Sequence, residues 1–177
     1  MAWGVAAADA FEIDRLNILQ ASRLAMRRAI DRLNAQLHAA HRSACPVTLA
    51  AGTTAAAAVP ARQTGCDYLL VDAVTVDAPI AQRALIHGDS LSFSIAAASI
   101  LAKTERDAAL VEWDHVFPEY GLAHNKGYST PDHLAALQRL GPTTLHRFSF
   151  EPVRNFNRYE SWMGYPIPQQ GELFACR

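Results

Sequence analysis

Two short apolar runs, each closing on an aspartate, constrain the fold of this 177-residue chain more than any other feature. In "CDYLLVDAV" the aliphatic residues are interrupted by Asp72, the pattern of a buried strand whose far end turns polar. "QRALIHGD" reads as a second, shorter strand ending at Gly88-Asp89. It runs into "SLSFSIAAASILAKTERD", a helical stretch that "AALVEWDHVFPEYG" continues until Pro118 stops it. Strands followed by helices in this order make an α/β domain. In open α/β sheets reactive groups gather at strand ends, and both Asp72 and Asp89 fall at such ends.

The length suffices for one domain with its own core, and 50% hydrophobic with 19% charged residues describes a globular chain. No apolar run approaches the ~20 residues a membrane span requires. The N-terminus "MAWGVAAADAFEIDR" has no basic start, which argues against a signal peptide. Cys45, Cys66 and Cys176 are far apart and lack C-x-x-C spacing. That favours a reducing cytoplasm and argues against a zinc site. With a net charge of -1, any nucleic-acid binding must use a local patch.

"MAWGVAAA" has a β-like start, and Asp9 with Glu12 forms a capping-box pattern ahead of a helix. Leu16, Leu19, Met26, Ile30, Leu33 and Leu37 then mark one apolar face of a long helix. Arg23, Arg27, Arg28 and Arg32 take the other side, read as a solvated face ahead of a phosphate-contacting one. The Ala/Thr-rich stretch 41–65 shows no sustained period and reads as a loop. "LAHNKGYSTPDHLAALQRLGP" is a loop and a helix, with Ser129 or Thr130 as N-cap, Pro131 in the first turn and Gly141 as the stop. The tail beyond residue 153 has weak periodicity.

Taken alone, Asp89 reads as a simple N-cap and Asp72 as a turn residue. Two acids on neighbouring strand ends also suit a hard divalent cation, which takes carboxylate, water and phosphate oxygens. Asp107 does not fit that site. Along one helix, the 18 steps from Asp89 span ~27 Å, whereas paired catalytic metals lie ~4 Å apart. Ala96, Ala97, Ala98, Ser99 and Ala102 would let the helix lie close against a sheet.

At this point the sequence resembles a known family. "GDSLSFSIAAASILAKTERD" is similar to the signature of ribonuclease HII, in which a G-D turn leads into S-I-A-A-A-S-I-x-A-K-x-x-R-D. "NKGYSTPDHLAALQRLGPTTLHRFSFEPV" resembles its next block, K-G-Y-x-T-x-x-H, then G-P, then H-R-x-S-F-x-P-V. "EIDRLNILQASRLAMRRAI" resembles its E-I-D-x-x-N-I-x-x-A helix, and "YLLVDAV" its V-D-G strand. The likeness covers most of residues 1–153. It implies an RNase H-like α/β fold, a mixed sheet flanked by helices with a helical C-terminal part.

The resemblance further implies an endoribonuclease that depends on Mg²⁺ or Mn²⁺. Its substrates would be RNA–DNA hybrids and duplex DNA containing ribonucleotides, cut to 3′-hydroxyl and 5′-phosphate ends. Asp72 and Asp89 match the third and fourth metal-binding acids and are the expected catalytic and metal residues. Tyr128 matches the tyrosine that packs on a nucleotide sugar, with Lys126 beside it as a substrate contact. Lys103 and Arg106 are expected to pair with Glu105 or Glu112 at a helix end.

Three departures stand out. The family's first two acids come in D-E-A-G-R-G, which does not occur in this sequence. Met1 stands where the family would already be on its third strand, so the N-terminal strands are expected to be missing. Ala73 replaces a glycine and His87 the usual lysine. The expectation is therefore one N-terminally incomplete domain over 1–177, with 41–65 inserted and 154–177 unmatched. It would be cytoplasmic, monomeric and without a membrane partner. The alternative is an inactive nucleic-acid-binding remnant.

Overall fold

The computed structural model describes residues 2–44 and 65–154. Helix α1 (Ala10–Leu16) opens on the expected capping box. Glu12 N–H donates to Asp9 Oδ1 at 2.7 Å, and Asp9 N–H donates to Glu12 Oε2 at 3.1 Å. The long helix expected to follow is broken at Asn17, whose φ of 70° ends α1. The Asn17 side chain then accepts from Gln20 N–H at 3.1 Å and starts α2 (Ile18–Ala44). Asparagine tolerates left-handed backbone and its amide competes for nearby N–H groups, so it punctuates an otherwise continuous apolar period.

Residues 2–9 form no strand, contrary to the β-like start read for them. They lie along α2, which satisfies their backbone groups with side chains instead of a neighbouring strand. Trp3 N–H donates to Gln36 Oε1 at 3.2 Å, Arg28 Nη1 donates to the Ala7 carbonyl at 3.0 Å, and Arg32 Nη1 donates to the Val5 carbonyl. A Cβ on Gly4 would come within 2.7 Å of the Ala29 carbonyl oxygen, so only glycine permits this approach. Arg27 donates to the Asp77 carbonyl, and Arg28 grips Glu12 through two bonds of 2.5 and 2.8 Å. The arginines read as a solvated face are thus, in three of four cases, ties to neighbouring segments.

Strands β1 (Tyr68–Asp72) and β2 (Ala81–Leu85) form a parallel pair with Tyr68 opposite Ala81 and Asp72 opposite Leu85. Among the described residues the sheet is this pair, not the mixed sheet expected. Their short connection is held by Gln82, whose side chain exchanges two 2.8 Å hydrogen bonds with the Val76 backbone. β1 is not fully buried as its apolar run suggested. Val71 is buried, while Tyr68 and Leu70 are exposed, because a narrow sheet is covered on one face only.

Helix α3 (Gly88–Leu91) is separated from α4 (Phe93–Val116) by Ser92 in extended conformation, so the stretch read as one helix is two. α4 ends just before Pro118, as expected. It rests on β1 through Ile95. Ala97, Ala98, Ser99 and Ala102 are exposed, so the small-residue face expected to pack on the sheet does not do so among the described residues. Two strands are too few to reach it.

After a 3-10 turn (Pro118–Tyr120) come α5 (Leu122–Asn125), α6 (Pro131–Leu140) and α7 (Glu151–Arg154). α6 carries its expected caps: Thr130 accepts from His133 N–H, Pro131 is first, and Gly141 closes the helix at φ 82°. Tyr120, Leu122, Ala136, Leu137 and Val153 form a buried core here, flanked by Phe117, Leu145 and Phe148. Asp14 of α1 reaches into the same region. Its carboxylate accepts from Phe148 N–H at 2.7 Å, Ser149 N–H at 3.0 Å and the Ser149 hydroxyl at 2.6 Å.

The stretch 41–65 lies outside the described residues except at its ends, where α2 runs on to Ala44. The tail 154–177 lies outside them apart from Arg154. Among the described residues no helix is long and apolar enough to cross a membrane.

Candidate metal and nucleic-acid site

Asp72 ends β1, and the cross-strand register brings the end of β2 beside it. Past β2 the chain turns through His87, left-handed at φ 55°, into Gly88. Gly88 N–H donates to Asp72 Oδ1 at 2.8 Å. A Cβ at Gly88 would stand 2.7 Å from Ile95 Cδ1 and 3.3 Å from that same carboxylate oxygen, so the contact depends on glycine. Asp89 follows directly, which draws the two carboxylates to one corner of the fold. It is not a simple N-cap: His87 holds that position without a side-chain cap, and Asp89 Oδ1 accepts from its neighbour Ser90 N–H at 2.9 Å.

Both acids are exposed, and each keeps one carboxylate oxygen without a hydrogen bond among the described residues. Oxygen donors of this kind, open to water, fit a hard divalent cation. Among the described residues no three His, Cys, Asp or Glu side chains converge as a metal cluster, so Asp107 does not join the pair. Ala73, beside Asp72, is held at φ 58°, a conformation that suits the glycine the family carries there.

Asp107 belongs to a second group, in the second half of α4. Its carboxylate lies 3.3 Å from Lys103 Nζ and 3.4 Å from Arg106 Nε. This corrects the pairing expected with Glu105 or Glu112. A helix puts residues three and four apart on one face, and Asp107 is four from Lys103, whereas Glu112 is six from Arg106. The same cations reach the turn that bears Tyr128. Arg106 Cζ lies 5.0 Å and Lys103 Nζ 5.9 Å from the Tyr128 ring centre, and Arg106 Nη2 donates to the Lys126 carbonyl at 2.7 Å.

That turn is built on Asn125, which the motif reading passed over. Lys126 and Gly127 both have positive φ, 51° and 72°, and Tyr128 N–H closes the turn on the Asn125 carbonyl at 2.9 Å. Buried Asn125 accepts from Gly127 N–H at 2.8 Å and donates to the Tyr120 carbonyl at 2.7 Å. Its amide also lies 3.0 Å from His133 Nδ1. An asparagine two residues before a glycine was the available signal, since its side-chain oxygen accepts from the backbone N–H two residues on. The result leaves Tyr128 56% exposed on a fixed base.

Beneath the turn, the His133 and His146 rings stack at 5.5 Å, and Tyr120 hydrogen-bonds the Gly141 carbonyl. Burial, and then the neighbouring His133, lower the His146 pKa from 6.5 to about 4. Burial likewise raises that of Tyr120.

A parallel strand pair with one acid at its end and a second in the short helix that follows, joined to helices that present a cationic and aromatic turn, defines an α/β domain with a candidate hard-cation corner. The family model of ribonuclease HII matches residues 48–153. The chain is 49% identical over 159 residues to a ribonuclease HII of Solibacter usitatus, a match covering 90% of this chain and 57% of that protein. It is 46% identical over 153 residues to one of Koribacter versatilis, covering 86% and 49%. It is also 46% identical over 155 residues to one of Syntrophotalea carbinolica, covering 87% and 60%. The chain belongs to the ribonuclease HII family. It spans about half the length of the curated relatives it matches.

Proposed function

We propose that this chain serves the hydrolysis of RNA in RNA–DNA hybrids and of ribonucleotides embedded in duplex DNA, as a cytoplasmic monomer. Family membership supports this reading, and the observation that carries it is the 2.8 Å bond from Gly88 N–H to Asp72 Oδ1. That bond holds two open carboxylates at adjacent element ends, where Asp72 and Asp89 would bind Mg²⁺ or Mn²⁺. When bound, the cation supplies charge stabilisation at the phosphate and activation of water. Tyr128 would pack on a nucleotide sugar and orient the strand, with Lys126 near a phosphate. Lys103 and Arg106, both paired with Asp107, together with Lys126 would make the local basic patch that a chain of net charge -1 needs for a polyanion.

A Mn²⁺ titration followed by NMR tests the ligands. Broadening is expected first around Asp72 and Gly88–Ser90, and Asp89→Asn should remove it. Broadening elsewhere, or broadening indifferent to Asp89→Asn, would overturn the assignment.

A second reading, nucleic-acid binding without hydrolysis, is favoured by the lack of a third converging ligand among the described residues. Two carboxylates offer few ligands for two ions. The 177 residues alone are therefore expected to bind a duplex containing one ribonucleotide without measurable cutting. Joined to a segment carrying D-E-A-G-R-G, they are expected to cut it, and Asp89→Asn should abolish the cutting. Binding that never becomes cutting in the joined protein would decide for the second reading.

A further inference from the structure

We infer that Asp107 is a positioning residue for Tyr128. It acts by holding Lys103 and Arg106 together against the aromatic ring. The inference rests on the reading of Tyr128 as a nucleotide contact and adds what makes that contact rigid.

Counted from Lys103, Arg106, Asp107 and Leu110 stand three, four and seven residues on, so the four share one stripe of α4. The turn from Asn125 to Tyr128 sits on that face. Leu110 lies 3.7 Å from where a Gly127 Cβ would stand, Arg106 holds the Lys126 carbonyl, and both cations lie over the Tyr128 ring. Two like charges on one ring repel each other and would drift to solvent if nothing balanced them. Asp107 is the balancing charge. Its carboxylate is less exposed, at 24%, than Lys103 at 59% or Arg106 at 48%, and touches both. Its Oδ1 atom is shielded from water and has no hydrogen-bond partner among the described residues, so the Arg106 charge 3.4 Å away is what compensates it, while Lys103 sits at Oδ2. Removing the charge frees Lys103 and leaves Arg106 held only at the Lys126 carbonyl, and the cation–π contacts that orient the ring weaken. The signature's closing acid, set apart from Asp72 and Asp89, thereby acquires a use farther along the chain in α4.

The test combines a direct view of the ring with a double-mutant cycle. In protein carrying ¹³C-labelled tyrosine, with the Tyr128 signal assigned by Tyr128→Phe, Asp107→Asn is expected to move the Tyr128 ring resonances towards those of an unconstrained tyrosine. The amide signals of His133 and His146 should stay in place, which separates a local effect from unfolding. Asp107→Glu, which keeps the charge, should restore most of the ring shift. Affinity for a duplex containing one ribonucleotide, read by fluorescence anisotropy, should fall about fivefold with Asp107→Asn and not at all when Tyr128 is already leucine. Unchanged ring resonances overturn the inference, as does an equal affinity loss in both backgrounds. If the ring moves while Tyr128→Leu leaves duplex affinity unaltered, Asp107 still positions the ring, and it is the reading of Tyr128 as a substrate contact that fails.

Discussion

The two regions that bear candidate functional residues are held in place by different means. Tyr128 stands on a packed cluster in which Tyr120, Leu122, Leu137 and Val153 are buried and Asn125 and His133 satisfy each other's polar atoms. Asp72 and Asp89 stand on a strand pair with little beneath it beyond Val71, Val76 and Ile95. Around them Phe93 is 97%, Ile86 74% and Leu91 71% exposed. Packing positions the tyrosine. Backbone geometry positions the acids, through a glycine amide and residues 73 and 87 in left-handed conformation. A fold can therefore present a carboxylate pair accurately in a region that contributes little to its stability.

The contrast breaks most visibly if its packed side is opened. Leu137→Ala, at 2% exposure, should destabilise by about 2–5 kcal/mol in a denaturant titration, because the cavity it leaves cannot collapse. Leu70→Ala in β1 should cost well under half of that, and similar losses would mean the two regions are equally packed. Asp14→Ala is next. It strips the acceptor from Phe148 N–H, Ser149 N–H and the Ser149 hydroxyl, and should cost about 2 kcal/mol. A variant as stable as the parent would show that water replaces the carboxylate freely.

Acid should loosen the cluster before the α1–α2 contact. His146 binds its proton at about 4 when folded and at 6.5 otherwise, so the unfolded chain protonates first. Stability is whole above 6.5, is lost as pH falls to about 4, and draws no further loss from this group below that. Glu12 has its pKa lowered from 4.5 to about 2, first by the hydrogen bond from Arg28. That contact contributes fully above 4.5 and fades as pH falls to about 2. Amide signals followed through an acid titration should thus change near His133 and His146 at higher pH than near Glu12, and the reverse order would contradict this account.

Two smaller effects sharpen the backbone side. Ala73→Gly relieves a left-handed alanine and should stabilise the protein by up to about 1 kcal/mol, measured as a raised melting temperature. A loss would mean the unfolded chain's added freedom outweighs the strain. Phe93→Ser, at 97% exposure, should shift stability by less than about 0.5 kcal/mol. A larger loss would reveal packing on the open face of α4.

Much of the local structure was legible in the sequence. Asp9 and Glu12 form their capping box, Thr130, Pro131 and Gly141 bound their helix, and Asp72 ends its strand, whereas the second strand stops at Leu85 and Asp89 falls in α3. Each depends on residues within a few positions of one another. Readings that failed were those needing a distant partner. The arginines of α2 looked like a solvated face because their acceptors, the carbonyls of Val5, Ala7 and Asp77, lie 21 to 50 residues away. The alanines of α4 looked like a packing face, but the described sheet is too narrow to meet them. Lys103 and Arg106 were expected to pair with Glu105 or Glu112, yet both meet Asp107, a pairing that shows only where the helix face and the Tyr128 turn come together.

The sequence by itself determined the alternation of strands and helices, the caps of α1 and α6, the family, and the two acids matched to metal binding. These rest on short-range backbone preference and on motif order, both of which survive in one dimension. Tertiary structure alone decided that Gly88 docks on Asp72, that Asp14 anchors a loop more than 130 residues away, and that Asp107 serves Tyr128. A side chain's partner is whatever the fold brings within about 3 Å of it, and sequence spacing carries no information on that once the chain has turned back on itself.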